Sequence, residues 1–358
     1  MRFFIASGCP IATTTLYRCV HLAEQLRALG HEAEIVNWFE EAQIDPRRAR
    51  GYEAIFLYRL PMSPPLAQVI DEAHQTGTPV IFDTDDLIFE PALVQAQRGV
   101  TRLNPSEQEE HTAGVRRYLE TLEACDAVTT ATPFLAELAT RRGQRAFVHR
   151  NALGQEMLAL AHRLRQPRLT NEIADKVVIG YGSGTPTHDV DFAEAASALC
   201  TVLKQFPNTE LWVVGPVVLG GELNAFGERV RRFPLTDWPG WFERASQFDI
   251  ALAPLELENV FCRAKSEIKF VEAAALGVPV IASRTEPYED VITAREDGLL
   301  ATDEADWVEA LSWLIADPHR RAEMGERARE KVQRSYTPAV RAAELAEMLP
   351  QLLAAKSR

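Results

Sequence analysis

Three carboxylates stand together where a buried strand should end. The stretch at 80–89 reads VIFDTDDLIF, an apolar run that breaks into Asp83, Asp85 and Asp86 before turning apolar again. Ionised carboxylates in a closed crevice can accept a proton or stabilise a developing positive charge. They can also simply cap a turn, as Asp does at strand ends. A second cluster, FCRAKSEIKFVEAAALG at 261–277, carries Arg263, Lys265 and Ser266 just before or at a helix start, with Glu272 further in. Helical spacing puts Lys265, Lys269 and Glu272 on one face and Ile268, Val271, Ala275 and Leu276 on the buried side. Free N–H groups at a helix N-terminus, with a Lys and a Ser beside them, suit a diphosphate. Glu272 suits the vicinal hydroxyls of a ribose. A solvated stripe of Lys and Glu is the plainer alternative.

The elements around these groups alternate. Apolar runs at 2–6, 32–36, 54–58, 79–83, 127–130 and 145–149 are separated by helical patterns at 13–29, 65–73, 107–123 and 133–141. In the first helix Leu16, Val20, Ala23, Leu26 and Leu29 mark the expected buried stripe, stopped by Gly30. A second set places strands at 176–182, 209–215, 229–233, 249–255 and 278–283, with helices at 189–206, 239–247 and 265–276. This is the rhythm of parallel sheets with helical crossovers, so the expected fold class is α/β, with two doubly wound domains in series. The expected divisions are a first domain at 1–160, a polar linker at 161–175 containing Pro167, a second domain at 176–336, and a C-terminal helix within 337–358. Ligands of open α/β sheets lie beyond the carboxyl ends of the strands. The Asp cluster therefore belongs in such a crevice.

Composition narrows the chemistry. The 358 residues carry 38 basic and 51 acidic side chains, a net charge of −13, so a bound phosphate must be held by local groups and no nucleic-acid partner is expected. Cys9, Cys19, Cys125, Cys200 and Cys262 are scattered without metal-ligand spacing and read as core thiols of a reduced, cytoplasmic protein with no bound metal. No apolar run approaches the ~18 residues of a membrane span. Arg-rich runs at 47–50, 141–145 and 163–168 leave room for peripheral contact with anionic lipid at the inner face of the membrane, a solvated face being the plainer reading. No GxGxxG follows a strand, which disfavours a nicotinamide-dependent dehydrogenase.

Asp83 and Asp85 also match the DxD spacing of haloacid-dehalogenase-type phosphatases, where the first Asp is the nucleophile, the second the acid/base, and Mg²⁺ binds between them. Against that resemblance, Asp86 stands where Gly is frequent and Leu87 where a hydroxyl or Val is usual. The motif also arrives deep in α/β sequence instead of opening the fold.

A broader resemblance covers nearly the whole chain. LAPLELENVFCRAKSEIKFVEAAALGVPVIAS and the following loop to Gly298 resemble the donor-binding region of family 4 retaining glycosyltransferases. IGYGSGTPTHDVDF at 179–192 resembles the opening strand and loop of the donor domain in a bacterial subgroup of them. LAEQLRALGHEAEIV and VHRNAL at 148–153 resemble the first crossover and the end of the first domain. The resemblance implies a GT-B fold: two Rossmann-like domains facing a cleft, the first for acceptor and the second for donor, with a last helix at about 337–355 returning to the first domain. It implies transfer, without metal or other cofactor, of a sugar from a UDP-, GDP- or dTDP-sugar to a hydroxyl with retention of configuration. The acceptor would be a glycan, a lipid-linked molecule or a protein, in the synthesis of bacterial surface polysaccharide or glycoconjugate.

Residue by residue, Glu272 matches the second of the family's paired glutamates, the ribose ligand. Ala264 stands at the first, so Glu258, Asn259 or Glu267 would have to replace it. The basic pair that usually follows the first donor strand is missing too, since no Lys or Arg occurs from Gly180 to Asp189. That leaves Lys265 and Arg263 to neutralise the phosphates, with Ser266, Ser183, Thr185 and the backbone N–H groups of the Gly182 to Gly184 loop. The family's glycine-rich first loop is replaced by Pro10 to Thr15, so Thr14, Tyr17 and Arg18 become candidate acceptor or phosphate contacts. Aligning Asp86 and Leu87 with the family's His-Asp-Leu puts Asp85 at the histidine, near the reacting sugar, with Asp83 expected to orient it. The missing groups also keep open a non-catalytic nucleotide-sugar-binding subunit, and a sugar-nucleotide epimerase or phosphorylase of similar fold.

Overall fold

The computed structural model describes residues 1–164, 176–185 and 189–354. Residues 165–175 of the expected linker and 186–188 of the SGTPTHD loop lie outside that set. The chain forms two compact units, Met1–Gly154 with Ala264–Ser266 and Thr337 onward, and Gln155–Arg263 with Glu267–Tyr336.

The first unit contains β1 (Arg2–Ser7), α1 (Ala12–Thr15), a π-helical segment (Leu16–Val20), α2 (His21–Ala28), β2 (Glu32–Asn37), β3 (Ala54–Tyr58), α3 (Pro64–Gln75), β4 (Val80–Thr84), α4 (Pro105–Ala124), β5 (Ala127–Thr130), α5 (Pro133–Arg141) and β6 (Ala146–Val148). Its six strands are parallel in the order β2-β1-β3-β4-β5-β6. Helices cover both faces of such a sheet, so β3 and β4 are buried at every position, Asp83 and Thr84 included. The crossover helices start where side chains satisfy the first backbone donors: Ser63 for α3, Asn104 with Glu107 for α4, and Thr132 for α5.

The expected helix at 13–29 forms, but its face is not the one the 3.6-residue period predicts. The π-helical turn inserts one residue per turn, and every side chain around it is rotated relative to the stripe. Val20, expected inside, is 39% exposed, whereas Arg18 and Cys19 are buried.

The second unit contains α6 (Gln155–Leu164), β7 (Val177–Gly182), α7 (Asp189–Gln205), β8 (Thr209–Val214), α8 (Gly221–Asn224), β9 (Val230–Phe233), α9 (Trp238–Ala245), β10 (Ile250–Ala253), α10 (Val260–Arg263), α11 (Ile268–Ala275), β11 (Val280–Ser283), α12 (Glu286–Glu289), β12 (Leu299–Ala301), α13 (Glu304–Ile315) and α14 (Pro318–Ser335). Its parallel sheet runs β12-β11-β10-β7-β8-β9, so the strand order reverses between β7 and β10. Ile179, Phe192, Leu199, Leu211, Ile281 and Trp307 belong to its core.

Two differences from the expected divisions follow from packing. Residues 155–160 begin α6, which buries Met157 and Ala161 and packs on α9 and α11, so they belong to the second unit. The helix expected at 265–276 begins later, as α11, and Lys265 and Ser266 lie in the connection that joins it to the short α10 before it. The last helix, α15 (Pro338–Leu353), packs on α2 and adds Leu345, Leu349 and Leu352 to the core formed by Phe3, Ile5 and Phe56.

The strand order of the first sheet reverses between β1 and β3. There Gly8 N–H donates to the Tyr58 carbonyl at 2.8 Å, and a Cβ at Gly8 would lie 2.4 Å from the Arg59 carbonyl oxygen. Arg59 itself has φ +47, a conformation disfavoured without a glycine and found where surroundings impose it. Gly8→Ala should therefore lower stability by about 1–3 kcal/mol, read as a drop in the thermal midpoint. Gly114→Ala is the control: nothing lies near its would-be Cβ, so in mid-helix it should be neutral or stabilising.

Candidate functional site

The polar residues at the carboxyl ends of β3, β4 and β5 form two hydrogen-bonded groups in the first unit. Arg18 donates from Nε to Asp83 Oδ1 at 2.9 Å and from Nη2 to Asp83 Oδ2 at 2.5 Å, while Nη1 reaches the His149 carbonyl at 2.6 Å and Asn151 Oδ1 at 3.1 Å. Thr129 Oγ1 donates to Asp83 Oδ2 at 2.6 Å. The pair is buried, and although burial opposes the charge on Arg18, the Asp83 carboxylate outweighs it and raises the Arg18 pKa. This corrects two expectations. Arg18, turned inward by the π segment, is spent on the interior and is not placed to meet phosphate or acceptor. Asp83 anchors Arg18 instead of orienting Asp85, and it is not accessible as a phosphatase nucleophile.

Asp85 is held by residues the sequence reading missed. Its Oδ1 accepts from Tyr58 OH at 2.9 Å and from Arg59 Nε at 2.8 Å, with Arg59 Nη2 at 2.6 Å. Asp86 Oδ1 accepts from Lys265 Nζ at 3.1 Å and from Leu87 N–H at 3.0 Å, and its Oδ2 lies 3.6 Å from Arg59 Nη2. Burial alone would raise the Asp86 pKa, but Lys265 and Arg59 hold it below the usual carboxylate range. Burial and then Asp85 push the Tyr58 phenol up, so it stays a donor. Tyr58 and Arg59 could have been suspected from their place at a strand's carboxyl end; the positive φ that aims Arg59 had no signal in the sequence.

The tripeptide 264–266 completes this network. Ala264 is fully buried, with its carbonyl 3.4 Å from Thr132 Oγ1, and Ser266 Oγ accepts from Asn151 Nδ2 at 3.1 Å. Asp85, Asp86, Lys265 and Ser266 thus come together, while Lys265 leaves the helix face it was expected to share with Lys269 and Glu272 and lies with Ser266 just before α11. Thr14 and Tyr17 are half-buried at the start of the α1 and π-helical stretch. Thr14 Oγ1 donates to the Ile11 carbonyl at 2.9 Å, and the Tyr17 ring stands edge-on to His21 at 5.3 Å.

A separate group gathers at the carboxyl end of β7 in the second unit. Trp241 Nε1 donates to Glu272 Oε2 at 2.9 Å, and its indole lies on Gly182, where a Cβ would come within 2.4 Å of it. Lys269 Nζ donates to the Gly182 carbonyl and sits 4.8 Å over the Tyr181 ring. Ser183 is buried; its N–H goes to the Val214 carbonyl at 3.0 Å and its hydroxyl to the Thr185 carbonyl at 2.8 Å, so it closes the loop and is not placed to bind phosphate. Gly184 is exposed and Thr185 half-buried. Arg263 is half-exposed, 3.6 Å from Glu286.

Among the proposed replacements for the first glutamate, Glu267 is buried and accepts from Tyr336 OH at 2.8 Å, and Asn259 Nδ2 donates to Glu256 Oε2 at 2.7 Å. Glu258 is exposed. Asp191, Glu256 and Cys262 offer ligand-type atoms within 4.8 Å of one another, but Asp191 Oδ1 accepts from Glu256 N–H at 3.3 Å and from Cys262 Sγ at 3.1 Å, a clasp that ties the loop after β10 to α7.

The five cysteines are buried thiols. Arg47, Arg48, Arg50, Arg141 and Arg142 are each paired with a carboxylate, and Arg145 donates to the Gln351 and Ala354 carbonyls, which leaves little unbalanced charge for a lipid surface. Residues 165–168 of the third Arg-rich run lie outside the described residues. Among the described residues no helix is long and apolar enough to cross a membrane.

Two six-stranded parallel sheets with flanking helices, one of them carrying Glu272 at its point of strand reversal, define a GT-B-type α/β fold. Residues 199–347 match the family described as Glycosyl transferase-like. Over 143 residues the chain is 30% identical to D-inositol 3-phosphate glycosyltransferase of Corynebacterium jeikeium (strain K411), a match covering 37% of this chain and 33% of that protein's length. Whole-chain likeness is one of fold. Anabaena Alr3699/HepE, solved in complex with UDP, has a TM-score of 0.63 at 14% identity, covering 98% of this chain and all of the other. Sucrose-phosphate synthase from Thermosynechococcus elongatus has a TM-score of 0.66 at 18% identity, with 99% and 100% covered.

Two measurements test the first network. Arg18→Met leaves a buried, uncompensated Asp83 and should cost about 3–5 kcal/mol of stability, most of it recovered when Asp83→Leu is added, as a double-mutant cycle in urea would show. The second concerns histidines. Burial lowers the His21 pKa to about 4, and burial, Arg18 and Arg341 lower that of His149 well below its usual value. The unfolded chain then binds more protons than the folded one below about pH 6.5, so this stability is full above that value and is lost as pH falls. His21 alone should remove about 2 kcal/mol by pH 5, and His21→Gln should flatten the decline in the urea midpoint between pH 7.5 and 5.

Proposed function

We propose that the protein transfers a hexose or deoxyhexose from a nucleoside diphosphate sugar (UDP-, GDP- or dTDP-linked) to an acceptor hydroxyl, with retention of configuration. The observation that carries this reading is Glu272, whose carboxylate is held by the Trp241 indole that lies on Gly182 at the carboxyl end of β7, where the strand order reverses, within a stretch that matches a glycosyl transferase-like family. A carboxylate there suits the vicinal hydroxyls of a ribose. UDP in Alr3699/HepE, a protein of the same fold, supports a nucleotide donor.

In this reading the second unit holds the donor and the first binds the acceptor. The bond from the anomeric carbon to the diphosphate oxygen breaks with its electron pair going to the leaving nucleotide, and a bond to the acceptor oxygen forms. Asp85, kept in place by Tyr58 and Arg59, either stabilises positive charge on the sugar or accepts the acceptor's proton. Lys265 supplies positive charge to the leaving group. The acceptor is a glycan, a lipid-linked molecule or a protein, and the setting is bacterial surface polysaccharide or glycoconjugate synthesis in the cytoplasm, with peripheral membrane contact if the acceptor is lipid-linked. The second reading, a non-catalytic nucleotide-sugar-binding subunit, is favoured by one observation: the position of the first glutamate is the buried Ala264.

A thermal-shift panel of nucleoside diphosphates and their sugars tests the donor, since a ligand at 100 times its Kd adds about 2.7 kcal/mol. Glu272→Ala should weaken the nucleotide that binds about tenfold. With donor and an acceptor-bearing extract, free nucleoside diphosphate should appear only when acceptor is present. Asp85→Asn should keep nucleotide binding and lower turnover by about 10²-fold or more. Near wild-type turnover in that variant rules out its role, and binding without turnover under any acceptor favours the subunit.

A further inference from the structure

Three carboxylates crowd the end of β4, and their oxygens are not equally used. Both oxygens of Asp83 accept from Arg18, and Asp86 Oδ1 accepts from Lys265 and the Leu87 N–H while its Oδ2 faces Arg59 Nη2 at 3.6 Å. Asp85 is lopsided. Tyr58 OH at 2.9 Å, Arg59 Nε at 2.8 Å and Arg59 Nη2 at 2.6 Å all converge on its Oδ1. Among the described residues no hydrogen bond reaches Asp85 Oδ2, and the side chain keeps 11% of its surface exposed. Donors gathered on one oxygen hold the carboxylate still and leave the lone pairs of the other available.

The two residues behind Oδ1 are themselves fixed. Tyr58 ends β3 and is buried, and burial keeps its phenol protonated and donating. Arg59 follows at φ +47, a left-handed backbone that sets its guanidinium 5.5 Å over the Tyr58 ring and against Asp85. That guanidinium offsets the charge of Asp85, so the carboxylate has little to offer a developing cation. It can still accept a hydrogen bond, and then a proton, at Oδ2.

We propose that Asp85 Oδ2 is the atom that meets the acceptor hydroxyl, with Arg59 and Tyr58 as positioning residues that act through Oδ1. The assignment rests on the transferase reading above and chooses between the two parts given there to Asp85. The acceptor O–H donates to Oδ2. As the acceptor oxygen bonds to the anomeric carbon and the diphosphate leaves with the electron pair of the broken bond, the hydroxyl proton passes to Oδ2, and the neutral acid later returns it to water.

Arg59→Gly tests this, because glycine takes the left-handed backbone without strain while the guanidinium is lost. With the donor found in the nucleotide-sugar panel and the acceptor-bearing extract, release of nucleoside diphosphate should slow about 10²-fold while the donor Kd stays unchanged. Millimolar guanidinium chloride should restore part of the rate in Arg59→Gly and none in Asp85→Asn. Tyr58→Phe keeps the ring and removes one donor to Oδ1; its rate should fall about tenfold, a readout that stands even if Arg59→Gly fails to fold. A wild-type rate in either variant, or a loss in folded Arg59→Gly that guanidinium does not reverse, overturns the assignment while the transferase reading stands. A wild-type protein that releases no nucleoside diphosphate from any donor of the panel overturns both.

Discussion

The buried pair between Arg18 and Asp83 governs the carboxyl edge of the first sheet. Two charges taken out of water are tolerable only when every donor and lone pair is used, and here Thr129, the His149 carbonyl and Asn151 use them. The pair ties the first helix to β4 and, through Asn151, to Ser266. Its existence depends on the π-helical turn at Leu16–Val20, because a regular helix would have placed Val20 inside. With Asp83 occupied in this way, Asp85 and Asp86 are the carboxylates that face outward from the end of the strand.

Those two acids are balanced by cations of different origin. Arg59 belongs to the same edge of the sheet and takes a left-handed backbone conformation, which Gly8 accommodates by lacking a Cβ against the Arg59 carbonyl. Lys265 comes from far along the chain. A carboxylate held by a phenol and a guanidinium, as Asp85 is, keeps one orientation, the condition for a group that meets developing charge without reorganising. In the second unit the organising contact is simpler: an indole lying on a glycine, with its N–H on Glu272.

Much of the fold was legible because its signals are local. Apolar runs of strand length alternating with helical periods announced two parallel sheets. The pattern failed where local and tertiary preferences diverge. The helical period at 265–276 was unbroken in sequence, yet the helix starts only at Ile268, because Ala264 is buried and Lys265 pairs with Asp86. The first domain was expected to reach residue 160, but Met157 and Ala161 commit α6 to the second unit.

The sequence by itself determined the α/β class, the two sheets, the clustering of acids at the end of β4 and the place of Glu272 on a helix, because periodicity and residue type carry that information along the chain. Only the tertiary structure decided which of those residues are spent in the interior and which remain for chemistry. Arg18, Asp83 and Ser183 all looked available, and each proved to be consumed by partners up to 133 residues away. Lys269, which helical spacing put on one face with Glu272, donates to the Gly182 carbonyl at the end of β7. A hydrogen-bond partner distant in sequence leaves no periodic trace, so whether a polar group is satisfied or waiting is settled by packing in three dimensions.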